Sequence, residues 1–186
     1  MLDGHGDPAL APEGHAQAAL VAERLAGEGL AGLFVTTLRR TAQTAAPLAA
    51  AVGLEPVVVP DLREVALGEW EGGEFRVRMA EADPIALRAV VEENWAVIPG
   101  AETMESLATR VRAGIDAVVA AAGPGATVAA VVHGGVIGEA CRQATGSRPF
   151  AFVHADNGSL TRLVVLSADR WLLRSFNDTS HLAPAA

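Results

Sequence analysis

The chain has 186 residues, 51% of them hydrophobic and 19% charged, which suits one globular domain with a full core and excludes a disordered chain. Its net charge of −8 disfavours nucleic acid and anionic membranes as partners, while leaving room for a local cationic pocket that takes a small anion. One cysteine excludes an intrachain disulfide and any cysteine-based zinc site.

Residues 1–11 read as loop, rich in glycine, aspartate and proline. A helix is predicted from Pro12 to Glu28, with Ala18, Val21, Ala22 and Leu25 as its apolar stripe and Gly27 and Gly29 ending it. Pro12 suits its first turn and Glu13 its dipole. Residues 32–36 form a strand, and a helix follows from Arg40 to Val52, stopped by Gly53. Pro56 to Val59 is a second, short strand. From Asp61 to Ala82 the chain reads as a loop-rich excursion that carries Gly68, Trp70, Gly72 and Gly73. A helix is predicted from Pro84 to Trp95; Pro99-Gly100 breaks the chain, and a long helix spans Glu102 to Ala122. After the turn Gly123-Pro124-Gly125 comes a strand from Thr127 to Val132, then a helix from Val136 to Thr145 with Cys141 on its buried face. Strands at Leu160–Leu166 and Trp171–Phe176 make a hairpin around Ser-Ala-Asp, and the tail 183–186 is expected to fray. No apolar run nears the ~20 residues of a membrane helix. The first seven residues lack the cationic start and apolar middle of a signal peptide, so a cytoplasmic protein is expected.

Strands that alternate with helices imply an α/β fold, a three-layer sandwich in which helices flank a mostly parallel sheet, built as a single domain over 1–186. Ligands of such sheets sit at the carboxyl ends of strands, where Thr36-Thr37 and His133-Gly134 both fall. Thr127-Val-Ala-Ala-Val-Val-His133 delivers an imidazole to the start of a helix, and Gly134-Gly135 lets the backbone come close to a ligand. Such a histidine can exchange protons or attack phosphorus near neutral pH. Taken alone, the segment fits a core histidine equally well. Arg39-Arg40 stands where a strand passes into a helix, a place from which arginine grips phosphate with a fork of N–H donors. Asp61 to Gly72 holds Glu64, Glu69 and Glu71, any of which could protonate a leaving oxygen; spacing does not select one. The five histidines His5, His15, His133, His154 and His181 are scattered without metal-ligand spacing.

Six segments in order carry a resemblance: Leu10-Ala-Pro-Glu-Gly14, Leu38-Arg-Arg-Thr-Ala-Gln-Thr-Ala45, Leu62-Arg-Glu-Val65 with Gly68-Glu-Trp-Glu-Gly72, Pro99-Gly-Ala-Glu102, Val132-His-Gly-Gly-Val136 and Phe176-Asn-Asp-Thr-Ser-His-Leu182. Together they resemble the histidine phosphatase superfamily, in its phosphoglycerate mutase-like branch. The resemblance implies a phosphatase that works through a phosphohistidine on a small phosphorylated metabolite, with no cofactor and no metal. Arg40 matches the arginine that holds the phosphoryl group, with Thr37 and Gly134 beside it. Glu64 matches the proton donor, and His133 the second histidine, a phosphate ligand that meets transition-state charge. A mutase is less favoured, because the segment between Trp70 and Pro99 is short for excluding water.

The family's first strand ends in an Arg-His-Gly nucleophile motif, and here the pattern departs. His5 in Gly4-His5-Gly6-Asp7 is the nearest candidate for the nucleophile. Met1-Leu2-Asp3 is too short and polar for the strand before it, and Asp7 to Gly14 aligns better with a loop beyond that motif. A chain without that strand, which lies beside the one ending at His133, loses pairing that should outweigh the ~5–15 kcal/mol stability of a typical domain. A homodimer exchanging a strand, a rearranged amino terminus or a longer chain would each fill the gap. Without the nucleophile, the same residues describe a protein that binds inorganic phosphate or a phosphometabolite without turnover.

Overall fold

The computed structural model describes residues 6–182, and the frayed tail expected at 183–186 lies outside them. The elements run α1 (Pro12–Leu25), β1 (Gly32–Val35), α2 (Arg39–Val52), β2 (Val57–Val58), α3 (Glu74–Ala80), α4 (Pro84–Val91), α5 (Met104–Ala122), β3 (Val128–Ala130), α6 (Gly134–Thr145), β4 (Leu160–Ser167) and β5 (Arg170–Asp178). Three-residue 3-10 turns begin at Pro60, Trp95 and Ser180, and a kinked one covers Gly68–Gly73. None of the helices among the described residues is long and apolar enough to cross a membrane.

β1 lies between β2 and β3, parallel to both, with Phe34 opposite Val57 and Ala130. The main core packs Phe34, Leu62, Trp70, Trp95, Leu107 and Val111 together; a second cluster holds Leu33, Val35, Ala45 and Leu48 against Ala22 of α1. Helix boundaries follow local chemistry. Asp83 caps α4 by accepting from the Ile85 and Ala86 N–H groups, and Thr103 caps α5 by accepting from Ser106 N–H. α5 therefore starts at Met104, two residues later than the sequence suggested. Left-handed glycines at Gly53 and Gly146 stop α2 and α6. Cys141 is fully buried in α6, and burial pushes its thiol up to about 11.

Several elements differ from the sequence reading. The excursion after Asp61 contains a helix, α3, because Gly73 turns the chain at positive φ and Glu74 ties Arg78 one turn on at 2.7 Å. α4 stops at Val91, where Glu93 at φ 52 breaks the spiral, and Trp95 starts a separate turn that buries its ring beside Phe150. α1 ends at Leu25 rather than Glu28. Glu28 is instead drawn to Arg162 of β4 and Arg24, at 2.8 and 2.7 Å, and those partners hold its carboxyl down to about 2. β3 is shorter than Thr127–Val132, and the hairpin is longer, with a two-residue turn at Ala168-Asp169. The hairpin β4–β5 is a separate antiparallel sheet; no strand pairing joins it to β3 among the described residues.

Candidate active site

β1 and β3 end side by side, and their next residues meet. His133 is the N-cap residue of α6, with extended backbone (φ −130, ψ 162) and 7% exposure. Its Nε2 shares a 2.9 Å hydrogen bond with Thr36 Oγ1. Thr36 Oγ1 also accepts from Leu38 N–H at 3.3 Å and lies 3.2 Å from Thr41 Oγ1. Thr41 Oγ1 accepts from Thr36 N–H at 3.1 Å and donates to Leu38 C=O at 2.8 Å. Two buried hydroxyls thus lock the β1–α2 turn and fix one side of the imidazole. The sequence pointed to Thr37 instead. Thr37 is exposed and lies outside the cavity lining, while Thr36 is buried against the His133 ring.

Arg40 stands in the first turn of α2. Its Nη1 donates to Gly6 C=O at 3.1 Å, and the segment after Gly6 is tied to the same helix. Asp7 accepts from Arg39 N–H at 2.9 Å, supplying the end cap that Leu38 cannot, and Gln43 accepts from Leu10 N–H at 2.9 Å. Arg40, Thr41, Thr44, Glu64, His133 and Gly134 line one cavity of about 1960 Å³. His15 and His181 lie outside that lining, and no group of three metal-ligating side chains occurs among the described residues. His5 lies outside the described residues.

Of the three glutamates in the excursion, Glu64 and Glu71 line this cavity, and Glu64 reaches the start of α6. Glu69 is exposed. Glu71 is taken up by the backbone, accepting from Leu67 N–H at 2.6 Å and Gly6 N–H at 3.3 Å. Glu64 Oε1 accepts from Val65 N–H at 2.9 Å and from Gly135 N–H at 3.1 Å, which sets its carboxyl against the first turn of α6. The residue as a whole is only partly covered, yet its carboxyl is enclosed by protein. Burial pushes that carboxyl above its ordinary 4.5; the Val65 N–H, the Arg40 charge, the Gly135 N–H and the Arg110 charge oppose the rise without cancelling it. An acid that keeps its proton to higher pH is suited to donate it to a leaving oxygen. The folded state therefore binds this proton more tightly than the unfolded one. The stability it contributes is full below pH 4.5 and is lost as pH rises through the raised value. Glu64→Gln should flatten that part of the stability–pH curve, measured by denaturant unfolding from pH 4 upward; an unchanged curve would refute the assignment.

Arg110 holds the Glu64 loop from behind. It is 8% exposed, pairs with Glu102 through Nε and Nη2 at 2.7 Å each, and donates to the carbonyls of Asp61 (2.9 Å), Arg63 (2.6 Å) and Glu64 (3.2 Å). Burial raises the Glu102 carboxyl, but the bonds and charge of Arg110, with Ser106 and Ala66 N–H, more than offset this and keep it below the ordinary range. Nothing in local pattern marked Arg110, an arginine on the inner face of a long helix; its signal was a charged residue at a core position.

Gly135 explains the second glycine after His133. A Cβ there would lie 2.6 Å from Glu64 Oε1 and 3.0 Å from Val65 Cγ1. Gly135→Ala should therefore push the carboxyl away and cost about 1–3 kcal/mol by overpacking. Denaturant midpoints check it, and a loss below 0.5 kcal/mol would mean the loop moves aside freely (roughly the scatter of surface substitutions).

An arginine, a histidine at a helix start and a raised carboxyl thus line one cavity near the carboxyl ends of parallel strands. The chain belongs to the histidine phosphatase superfamily (branch 1), whose family model matches residues 1–179. It is 31% identical over 188 residues to the probable phosphoglycerate mutase GpmB of Yersinia enterocolitica, covering 98% of this chain and 87% of that protein. It is 33% identical to the bifunctional protein Rv2228c of Mycobacterium tuberculosis, spanning 96% of this chain but only half of that longer relative. Among solved structures it resembles the mycobacterial glucosyl-3-phosphoglycerate phosphatase Rv2419c, at 28% identity and a TM-score of 0.79 over 95% of this chain and 90% of the other. A phosphoglycerate mutase of Bacillus anthracis, at 21% identity and TM-score 0.81 over 97% and 88% of the two chains, shares the fold.

Proposed function

We propose that the site binds the phosphoryl group of a small phosphomonoester and serves its hydrolysis in the cytoplasm. The observation that carries this is the convergence of Arg40, His133 and the Glu64 carboxyl on one cavity at the start of α6. Arg40 and His133 meet the charge of the phosphoryl oxygens, helped by the positive end of the α6 dipole at Gly134. In the first step the bond between phosphorus and the ester oxygen breaks, the phosphoryl passes to an imidazole nitrogen, and Glu64 gives its proton to the departing oxygen. In the second step water attacks phosphorus, the phosphorus–nitrogen bond breaks, Glu64 takes a proton back from that water, and phosphate leaves with the imidazole restored. No cofactor or metal takes part in this scheme. The likeness to Rv2419c and to GpmB supports a phosphorylated glycerate or sugar derivative as substrate class.

The test is release of phosphate from an aryl phosphate, compared with His133→Ala. A His133→Ala protein as fast as the parent would end this reading. Among the described residues His133 is the only histidine that lines the cavity, and this favours a second reading, phosphate binding without turnover. Acid-labile phosphate trapped on a histidine during reaction would exclude that second reading; saturable phosphate binding with no release would favour it.

A further inference from the structure

The rim of the cavity beside Arg40 carries a second cation. Gly72, Gly73, Phe75 and Arg76 line the cavity together with Arg40 and Glu64. Short contacts tie the two ends of this stretch. Gly6 C=O accepts from Arg40 Nη1 at 3.1 Å, and a Cβ on Gly6 would stand 2.8 Å from Gly72 Cα. The partner of Arg40 therefore packs directly on the backbone that leads into α3. Glu71, the carboxylate at that junction, is held by the Leu67 and Gly6 N–H groups. Gly72 and Gly73 leave the rim bare, since a Cβ at either would meet nothing within 4 Å.

α3 treats its two arginines differently. Phe75 anchors the helix, with its ring edge-on to Trp95 at 5.3 Å and tilted to Trp70 at 6.3 Å. Arg78 is taken up by the fold: it pairs with Glu74 at 2.7 Å and Asp83 at 3.4 Å and lies over the Trp70 ring at 5.6 Å. Arg76 has Gly72, Gly73, Met79 and Ala80 at the spacings of three and four residues that bring helical side chains together. None of these is acidic, and among the described residues Arg76 makes no hydrogen bond or ion pair. Arg40 is half-buried and Arg76 exposed, so one cation stands in the depth of the cavity and the other at its rim. A guanidinium fork without a carboxylate of its own, lining a ligand cavity, is matched best by an oxyanion; a neutral hydroxyl gains much less from it. Building on the phosphoryl reading of Arg40, we propose that Arg76 forms a second anion subsite: beyond its phosphoryl group the substrate carries another oxyanion, a carboxylate or a further phosphate, and Arg76 binds it. Phosphomonoesters with neutral tails are then the poorer ligands.

Phosphonates test this without turnover, because they hold no ester oxygen to release. In titration calorimetry on the whole 186-residue chain, 3-phosphonopropionate or 5-phosphonopentanoate should bind about tenfold more tightly than the alcohol of matching length, 3-hydroxypropylphosphonate or 5-hydroxypentylphosphonate. A bisphosphonate of the preferred length separates the two anions: tighter binding than the carboxylate assigns the subsite to phosphate, weaker binding to carboxylate. Arg76→Met, which suits a helix, should remove the preference for acid over alcohol and leave methylphosphonate binding unchanged. Arg76→Lys should keep part of it, since the charge stays and the fork of donors goes. Arg174→Met, at another arginine of the cavity lining, on β5, controls for general charge and should keep the preference in full. The proposal falls if the acids bind no better than the alcohols at both lengths, if the preference survives Arg76→Met, or if Arg174→Met loses as much. Methylphosphonate separates this from the underlying reading. If it does not bind, the phosphoryl site fails and the subsite with it; if it binds and no preference appears, the subsite alone fails.

Discussion

Replacing Arg40 with methionine should lower kcat/KM for an aryl phosphate by roughly 10²–10³-fold, the loss typical of a preorganised donor aimed at developing charge. Arg40 lines the cavity with His133 and Glu64, and its charge acts on Glu64, so its removal also strips an opposing influence from a carboxyl that burial already raises. The pH above which activity falls should therefore move upward in Arg40→Met, since the acid form of Glu64 persists further. Arg39 is the control. It is exposed and touches the site only through its backbone N–H, which a side-chain change leaves in place. Arg39→Met should cost little. Equal losses in the two variants would mean that the pair acts through general surface charge, and the geometry argued for Arg40 would fall. If the chain binds phosphate without turnover, the same contrast should appear in its dissociation constant.

Arg110→Met should destabilise the fold by about 3–5 kcal/mol, the cost of leaving one half of a buried ion pair behind. Glu102 would keep a nearly enclosed carboxylate (6% side-chain exposure) with no cation, and the carbonyls of Asp61, Arg63 and Glu64 would each lose a donor. Pairing the change with Glu102→Gln should recover part of the loss, because the orphaned charge disappears; a double-mutant cycle in denaturant unfolding measures that coupling. The carbonyls stay unsatisfied in both variants, so recovery should be incomplete. A single-variant loss below ~1 kcal/mol would place the pair with ordinary surface bridges. A positioning role adds a second signature. Surviving Arg110→Met enzyme should show a displaced pH profile, since the loop that seats Glu64 against Gly135 has lost its backing.

Much of this arrangement was legible before any coordinates. The run Thr127–Val132 ending in His133-Gly134-Gly135, the double arginine after the first strand and the capping glycines Gly53 and Gly146 are local patterns, and local patterns report backbone geometry directly. Choices between neighbours were not legible. Thr36 and Thr37 are the same residue type one step apart, and only the burial of β1 decides which faces His133. Glu64, Glu69 and Glu71 share one loop, and the selection of Glu64 rests on a hydrogen bond 71 residues away. Arg110 was invisible for the same reason. Its partners at Asp61, Arg63 and Glu64 lie more than 45 residues back along the chain.

The amino-acid sequence by itself determined the family and most of the alternation of strands and helices, and it marked Arg40 and His133 as candidates at strand ends, because each stands in a short motif whose backbone form is set by its own neighbours. The tertiary structure alone decided which hydroxyl braces the imidazole and which carboxyl is held above its ordinary range. Those outcomes depend on desolvation and on contacts between distant segments, and neither quantity exists until the chain has packed.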